Sequence, residues 1–243
     1  MIVEPSWEAP SSVAGRIVAG DDGWGGGADA VAFSAALAAD LGSELIVARV
    51  ESGASVPHEL GDRARREDAE LVVVGAHGHR HPGGLARGGV AERLIHESRL
   101  PVVVVPAGWG AAPHRFRLIG VAFDGRPESR TALALAAGLA ERAQAAMRVI
   151  AVTPAAAQPN GMLAAELHAA VEELPSSLRA LPVVDRGNIA RQLSEESAKG
   201  LDVLVCGSRG HGPFGGVLFG SVSRALIRAA ECPVLVVPRT SSH

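Results

Sequence analysis

The chain has 243 residues, of which 47% are hydrophobic and 20% charged, so it is long enough for one large or two small globular domains. Its formal net charge of −3 gives no electrostatic basis for binding nucleic acid or an anionic membrane. Its apolar runs are far shorter than the roughly 18 residues that span a bilayer. We therefore expect neither nucleic acid nor a membrane as a partner.

The first residues, MIVEPSWEAPSSVAG, contain no basic segment followed by an apolar one and do not resemble a secretory signal. We therefore expect a cytoplasmic protein. The two cysteines, Cys206 and Cys232, each adjoin an apolar run. This placement favours small buried hydrophobic side chains over a disulfide or metal ligands.

In chain order, the first part alternates short apolar runs with helical patterns. It predicts strands at 17–20, 44–50 and 71–74, helices at 28–41 and 57–67, and a final apolar run at Val102–Val105. The second part predicts strands at 118–123, 147–152, 181–184, 201–206 and 234–237, with helices at 127–144, 161–173, 188–199 and 221–230. Strands that are apolar throughout, separated by helices, predict a doubly wound α/β fold with a parallel sheet.

The sequence repeats itself. A shift of 132 residues lays LVVVGAHGH at 71–79 over VLVCGSRGH at 203–211. The same shift superposes the two apolar runs that have a proline at each end, 101–106 and 233–238. A shift of 102 residues lays Asp22 and Gly23 over Asp124 and Gly125. The two shifts differ by 30 residues, which match one helix and one strand between 154 and 184. The first copy therefore lacks a whole helix–strand unit.

Such a loss is tolerable only at the edge of a sheet, because removing a central strand would leave two neighbours without backbone partners. The strand order 3-2-1-4-5 places strand three at the edge. We predict two tandem five-stranded-type domains of this order, at 1–108 (truncated) and 117–243, joined by a linker at 109–116. The open apolar strands Val102–Val105 and Val234–Val237 should cover each other in an intrachain pseudo-dimer, and two whole chains could pair further.

A glycine pattern near the end of the chain indicates a site for an anion. Gly207, Gly210, Gly220 and Ser221 follow an apolar strand and precede a helix. Glycines let backbone N–H groups approach an anion, and the helix N-terminus adds the positive end of its dipole. Ser221 would add a hydroxyl donor, so this loop can hold a phosphate.

The spacing G-x-x-G-x₉-G-[S/T] at these positions strongly resembles the closing half of universal stress protein domains. The resemblance covers about 117–239, and more loosely 16–106. It implies ATP, with or without Mg²⁺, at the carboxyl ends of strands one and four. The residues that would contact the nucleotide, by resemblance, are Asp124 and Gly125 near ribose or adenine, Val152 at adenine, Gly207 and Gly210 at the ribose and first phosphates, Gly220, Ser221 and Val222 at the outer phosphates, and Arg209 and His211 as charge partners.

The first copy carries a weaker version of the site. Gly89 stands where the second copy has Ser221, so a hydroxyl donor is lost. The corresponding residues are Asp22, Val50, Gly75, Gly78 and Gly88. Asp22 is also explained as an ordinary turn residue before glycine, and His77, His79 and His81 as solvated loop side chains rather than metal ligands.

Three functions remain open from the sequence. The first is an ATP-binding stress-response sensor or regulator, with its nucleotide mainly in the second domain. The second is a scaffold or chaperone-like interaction protein without nucleotide. The third is an adenylyl-transferring or ATP-cleaving enzyme, but the loop has no following Walker lysine and no Ser/His/Asp or Cys/His arrangement can be assembled. We therefore expect at most slow ATPase activity and no catalytic residues.

Overall fold

The computed structural model describes residues 15–51, 55–76, 89–111, 115–156, 161–208 and 220–238. Within them, nine strands form one sheet: β1 Arg16–Asp21, β2 Glu44–Arg49, β3 Ala69–Gly75, β4 Val102–Val105, β5 Leu118–Phe123, β6 Ala146–Thr153, β7 Ala180–Arg186, β8 Val203–Gly207 and β9 Val234–Val237. The helices between them are α1 Gly25–Leu41, α2 Val56–Arg66, α3 Val90–Glu97, α4 Pro127–Ala143, α5 Met162–Glu172, α6 Ile189–Ser197 and α7 Ser221–Ala229.

The sheet has the order β2-β1-β3-β4-β9-β8-β5-β6-β7. In the second half, strands β7-β6-β5-β8-β9 are all parallel and follow the order 3-2-1-4-5. The first half follows the same order without a strand equivalent to β7, so β2 forms that edge of the sheet. The predicted doubly wound α/β class and the missing unit in the first half are confirmed.

The two halves meet at strands β4 and β9, which pair antiparallel. Val103 lies opposite Leu235, and these two residues are 132 positions apart, which is the shift of the repeat. The flanking pairs, Val102 with Val236 and Val104 with Val234, are symmetric about that pair. The junction is therefore symmetric about one pair of equivalent residues, and all eight residues of the two strands are buried.

The sheet is covered by helices on both faces. One buried cluster joins α1, α4 and α5 to the sheet through side chains such as Phe33, Leu139 and Leu167. The other joins α2, α3, α6 and α7 through Leu60, Leu94 and Leu226. Both clusters include residues from both halves. Because helices cover both faces of the sheet, its central strands are apolar on both faces.

The described residues of the predicted linker, 109–111, 115 and 116, include side chains that pack against α1. Residues 109–111 form a short 3₁₀ turn, and the Trp109 and Phe116 rings pack edge-on against Phe33 of α1 with centroids 5.1 and 5.3 Å away. The Asp29 carboxylate is 9% exposed and accepts hydrogen bonds from the backbone N–H groups of Gly108 and Gly110 at 2.7 and 2.8 Å. These contacts fix the segment to α1.

Some element boundaries differ from those predicted. Helix α1 begins at Gly25 rather than at 28, because the Asp22 carboxylate accepts from the backbone N–H of Gly27 and supports three glycines in the first turn. Strand β8 begins at Val203 rather than at 201, because Asp202 turns its carboxylate toward the backbone N–H groups of Arg117 and Leu118. No described helix has the length and apolarity needed to cross a membrane.

Candidate functional site

A cleft of about 440 Å³ opens at the carboxyl ends of β5, β6 and β8. Strands β5 and β8 are neighbours, and the chain leaves them toward opposite edges of the sheet. Ligands of open α/β sheets bind at such reversals of strand order. The lining residues are Ala122, Phe123, Asp124, Ser129, Ile150, Val152, Pro154, Leu163, Ile189, Leu193, Cys206, Gly207, Ser221, Val222 and Ser223.

One side of the cleft is apolar. It combines Ile150 and Val152 from β6, Leu163 from α5, and Ile189 and Leu193 from α6. Ile189 and Leu193 are four positions apart and therefore share one face of α6. A broad apolar wall of this kind suits a flat, weakly hydrated group such as a heterocyclic base.

The other side is the N-terminus of α7. The backbone N–H of Gly220 donates to Ser208 O at 2.9 Å, so it closes the loop. The first intrahelical hydrogen bond runs from Arg224 N to Gly220 O. Ser221, Val222 and Ser223 form the first turn and line the cleft, and first-turn N–H groups have no acceptor within their own helix. This arrangement offers amide donors and a dipole to an anion.

Two contacts hold α7 and α4 against the end of β8. The Ser223 hydroxyl donates to Gly207 O at 2.9 Å. A Cβ on Gly207 would lie 3.1 Å from Glu128 Cβ and 3.2 Å from Glu128 O, so the backbone approaches α4 closely there. Glycine at 207 is thus explained by packing at the floor of the cleft, whether or not a ligand is bound.

Asp124 stands at the mouth of the cleft, directly after β5. Its carboxylate accepts from the backbone N–H of Arg126 at 3.1 Å and faces the Arg126 guanidinium at 3.8 Å. Gly125 has a φ of +79°, which favours glycine. Arg130 donates to Gly125 O at 3.2 Å and lies over the Phe123 ring at 5.6 Å. The turn is thereby fixed, with the Asp124 side chain lining the cleft.

The same turn differs in the first half. The Asp22 carboxylate accepts from the backbone N–H groups of Trp24 at 3.0 Å and Gly27 at 3.2 Å. Gly27 stands where the second half has Ser129, and a Cβ there would lie 2.6 Å from the Asp22 carboxylate. Asp22 therefore acts as a cap of α1, in the role of a turn residue.

Other parts of the first half also depart from the second. Gly89, at the N-cap of α3, and Ala91 stand where the second half has Ser221 and Ser223, so both hydroxyl groups are missing. The walls formed by Pro154 and Leu163 belong to the unit that the first half lacks. Val50 is 9% exposed, and Gly75 lies so close to α1 that a Cβ would collide with Gly26 O.

The structure brings five of the predicted second-half residues to one cleft, namely Asp124, Val152, Gly207, Ser221 and Val222. Gly125 and Gly220 flank it without lining it. Arg209, Gly210, His211, Gly78 and Gly88 lie outside the described residues, as do His77, His79 and His81. Sequence reasoning missed most of the apolar wall. The four-residue spacing of Ile189 and Leu193 indicates that they share a helix face. No pattern in the sequence indicated that Pro154 and Leu163 would line the cleft.

The cleft floor contains the thiol of Cys206, which contacts Ser223. Burial raises the pKa of Cys206 to about 12, and the hydrogen bond with Ser223 lowers it in part. Burial likewise raises the pKa of Cys232 to about 12. Both cysteines are free and buried. They therefore act as small apolar side chains, and Cys206 supplies no nucleophile to the site.

Comparison with known proteins agrees with this architecture. The model of the universal stress protein family matches residues 52–106 and again residues 115–238. Universal stress protein Rv2623 of Mycobacterium tuberculosis is 32% identical over 212 residues, which cover 80% of this chain and 69% of that protein. Universal stress protein Rv2005c of the same organism is 32% identical over 190 residues, covering 70% of this chain. The match spans 62% of the length of Rv2005c.

Among solved structures, a universal stress protein from Archaeoglobus fulgidus matches with a TM-score of 0.68 at 16% identity. The match covers 93% of this chain and 98% of that one, and it shows a shared fold. The cleft and the doubly wound sheet define the class of an α/β protein with a ligand site at a strand-order reversal. Within that class, this chain belongs to the universal stress protein family.

Proposed function

We propose that the chain binds ATP in the cleft of its second half and acts as a stress-response sensor or regulator whose nucleotide state changes its affinity for partners. The observation that carries the proposal is the pairing, in one cleft, of an apolar wall with the first turn of α7. The wall accepts the base, and the N–H groups of Ser221, Val222 and Ser223 face the phosphates. Mg²⁺ accompanies the phosphates in this proposal.

With the base on the apolar wall and the phosphates at α7, we assign a role to each site residue that the sequence indicated. Asp124 and Gly125 lie by the ribose, Val152 by the base, and Gly207 by the floor between them. Arg209, Gly210 and His211 are proposed as further phosphate contacts from the sequence alone. The equivalent first-half residues form a weaker site, because the Asp22 carboxylate accepts a second backbone hydrogen bond, from Gly27, and both serine hydroxyls are absent.

The proposal extends to the organisation of the chain. We propose domains at 1–108 and 117–243 that form an intrachain pseudo-dimer, which the symmetric register of β4 and β9 supports. The chain is proposed to be cytoplasmic, since two free buried thiols suit a reducing compartment. Whole chains could pair further as homodimers.

Calorimetric titration with ATP and Mg²⁺ tests the function. We expect one tight site per chain, and a Gly220→Val variant should lose at least about tenfold in affinity, because a branched side chain at the N-cap obstructs the approach of the phosphates. Gly89→Val is the matched control, since Gly89 is the N-cap of α3 and has open space around its Cβ position. It should leave the affinity unchanged. A wild-type protein without ATP binding would instead support the scaffold function.

A further inference from the structure

Glu166 lies on α5, in the helix–strand unit that only the second half has. A Cβ on Gly125 would collide with the Glu166 carboxylate, and Leu163 Cδ1 would lie 3.9 Å from the same point. Leu163 lines the cleft and is one helical turn before Glu166, so both side chains lie on the face of α5 that turns toward the β5–α4 turn. Glu166 thus stands beside the mouth of the cleft, next to the turn that carries Asp124.

The Glu166 carboxylate has unused acceptor capacity. Among the described residues, no hydrogen bond or ion pair engages it, although the side chain is only partly exposed. The nearby guanidinium of Arg130 donates to Gly125 O instead, and that of Arg126 faces Asp124. An ionised carboxylate accepts hydrogen bonds and donates none, so its complement is a group that presents hydroxyl or amino donors.

We infer that Glu166 is a specificity-determining residue that accepts hydrogen bonds from the sugar hydroxyls of the bound nucleotide. The inference rests on the proposed function, which puts the base on the apolar wall and the phosphates at α7. The sugar then lies between them, at the mouth beside Asp124. Carboxylates next to a nucleotide-binding strand end commonly recognise ribose hydroxyls in this way. The ligand class is therefore a ribonucleotide with free 2′- and 3′-hydroxyls.

Gly125 makes room for the Glu166 carboxylate beside the cleft. Its φ of +79° is unfavourable for other residues, and the absence of a side chain leaves room for the Glu166 carboxylate. The first half has a glycine at the equivalent position, Gly23 with a φ of +76°, but no helix equivalent to α5. Sugar recognition by a second carboxylate is accordingly a property of the second half.

The test compares the dissociation constants of ATP, 2′-deoxy-ATP and 3′-deoxy-ATP. We expect the wild type to bind ATP about tenfold more tightly than either deoxynucleotide. Glu166→Ala should reduce that preference at least about threefold, by weakening ATP binding more than the binding of either deoxynucleotide, which has only one of the two hydroxyls. Alanine is a strong helix former, so α5 is retained. The matched control is Glu172→Ala, which removes the same charge from an exposed position of the same helix and should keep the wild-type preference.

The outcomes separate the two proposals. If the wild type binds none of the three nucleotides, the proposed function and this inference both fail. If it binds ATP and Glu166→Ala keeps the full preference for ATP, only the role of Glu166 is overturned. An equal loss for all three nucleotides would also contradict it, because each deoxynucleotide lacks one of the two hydroxyls that Glu166 is proposed to contact and should therefore lose less affinity than ATP.

Discussion

Single residues decide how similar turns are used in the two halves. Asp22 and Asp124 occupy the same place in the repeat, and the sequence allowed both a ligand and a turn role for each. The glycine at 27 lets Asp22 fold back onto the first turn of α1, whereas Ser129 occupies that place in the second half and Asp124 lines the cleft. The Asp-Gly motif predicted where each carboxylate lies in the chain. The direction in which that carboxylate points depends on the residue five positions later, which is Gly27 in the first half and Ser129 in the second.

Gly75 lies close to the backbone of α1 at Gly26, and a substitution can test the importance of that contact. Replacing Gly75 by Ala should lower the free energy of unfolding by about 2 kcal/mol, because the added methyl group meets backbone atoms of Gly26 that cannot move alone. Gly25→Ala is the control. Gly25 is exposed, begins α1 and has open space, so alanine there should be neutral or stabilise by up to about 1 kcal/mol. Equal effects of the two changes in urea unfolding would disprove the packing role of Gly75.

At the scale of elements, the repeat made the fold predictable. Bare apolar runs marked the strands, and the two different shifts identified the missing helix–strand unit and its place at the sheet edge. The walls of the cleft were less predictable. Leu163 lines the cleft and Glu166 lies next to Gly125 because of how α5 packs beside the β5–α4 turn, whereas helical periodicity predicts only that the two residues share a face. The Asp29 contacts with residues 108 and 110 involve about 80 residues of separation, which local patterns do not report.

The attachment of the 109–111 turn to α1 is testable by substitution. Asp29→Ala removes two hydrogen bonds to a buried carboxylate and leaves the N–H groups of Gly108 and Gly110 without their acceptor. We expect the free energy of unfolding to fall by about 2–3 kcal/mol. Asp62→Ala on α2 is the control, since its pairs with Arg65 and His58 are surface contacts and should contribute less than about 1 kcal/mol. A similar small loss at both positions would show that residues 108–110 are held by other contacts.

At the scale of the whole molecule, one sheet runs through both halves. The β4–β9 pairing and the two buried clusters that draw residues from each half should make the halves unfold together. All three tryptophans, Trp7, Trp24 and Trp109, precede the second half. Their fluorescence therefore reports on the first part of the chain, whereas far-ultraviolet circular dichroism reports on both.

Coincident urea transitions by the two methods are the expected result of that continuity. Replacing Leu235 by Asp at the centre of the junction should separate the two transitions, because a charge would be buried in the apolar cluster on one face of the sheet. Two separate transitions in the wild type would show instead that the halves are thermodynamically independent and that the junction contributes little.

The central claim is that the second half offers the first turn of α7 and an apolar wall to a single ATP. The most direct measurement is a crystal structure of the chain grown with saturating ATP and Mg²⁺. The account predicts one nucleotide in the second-half cleft, with phosphate oxygens within hydrogen-bond distance of the N–H groups of Ser221 and Val222 and the base against Val152 and Leu193. An empty cleft, or a nucleotide with its phosphates away from α7, would contradict it.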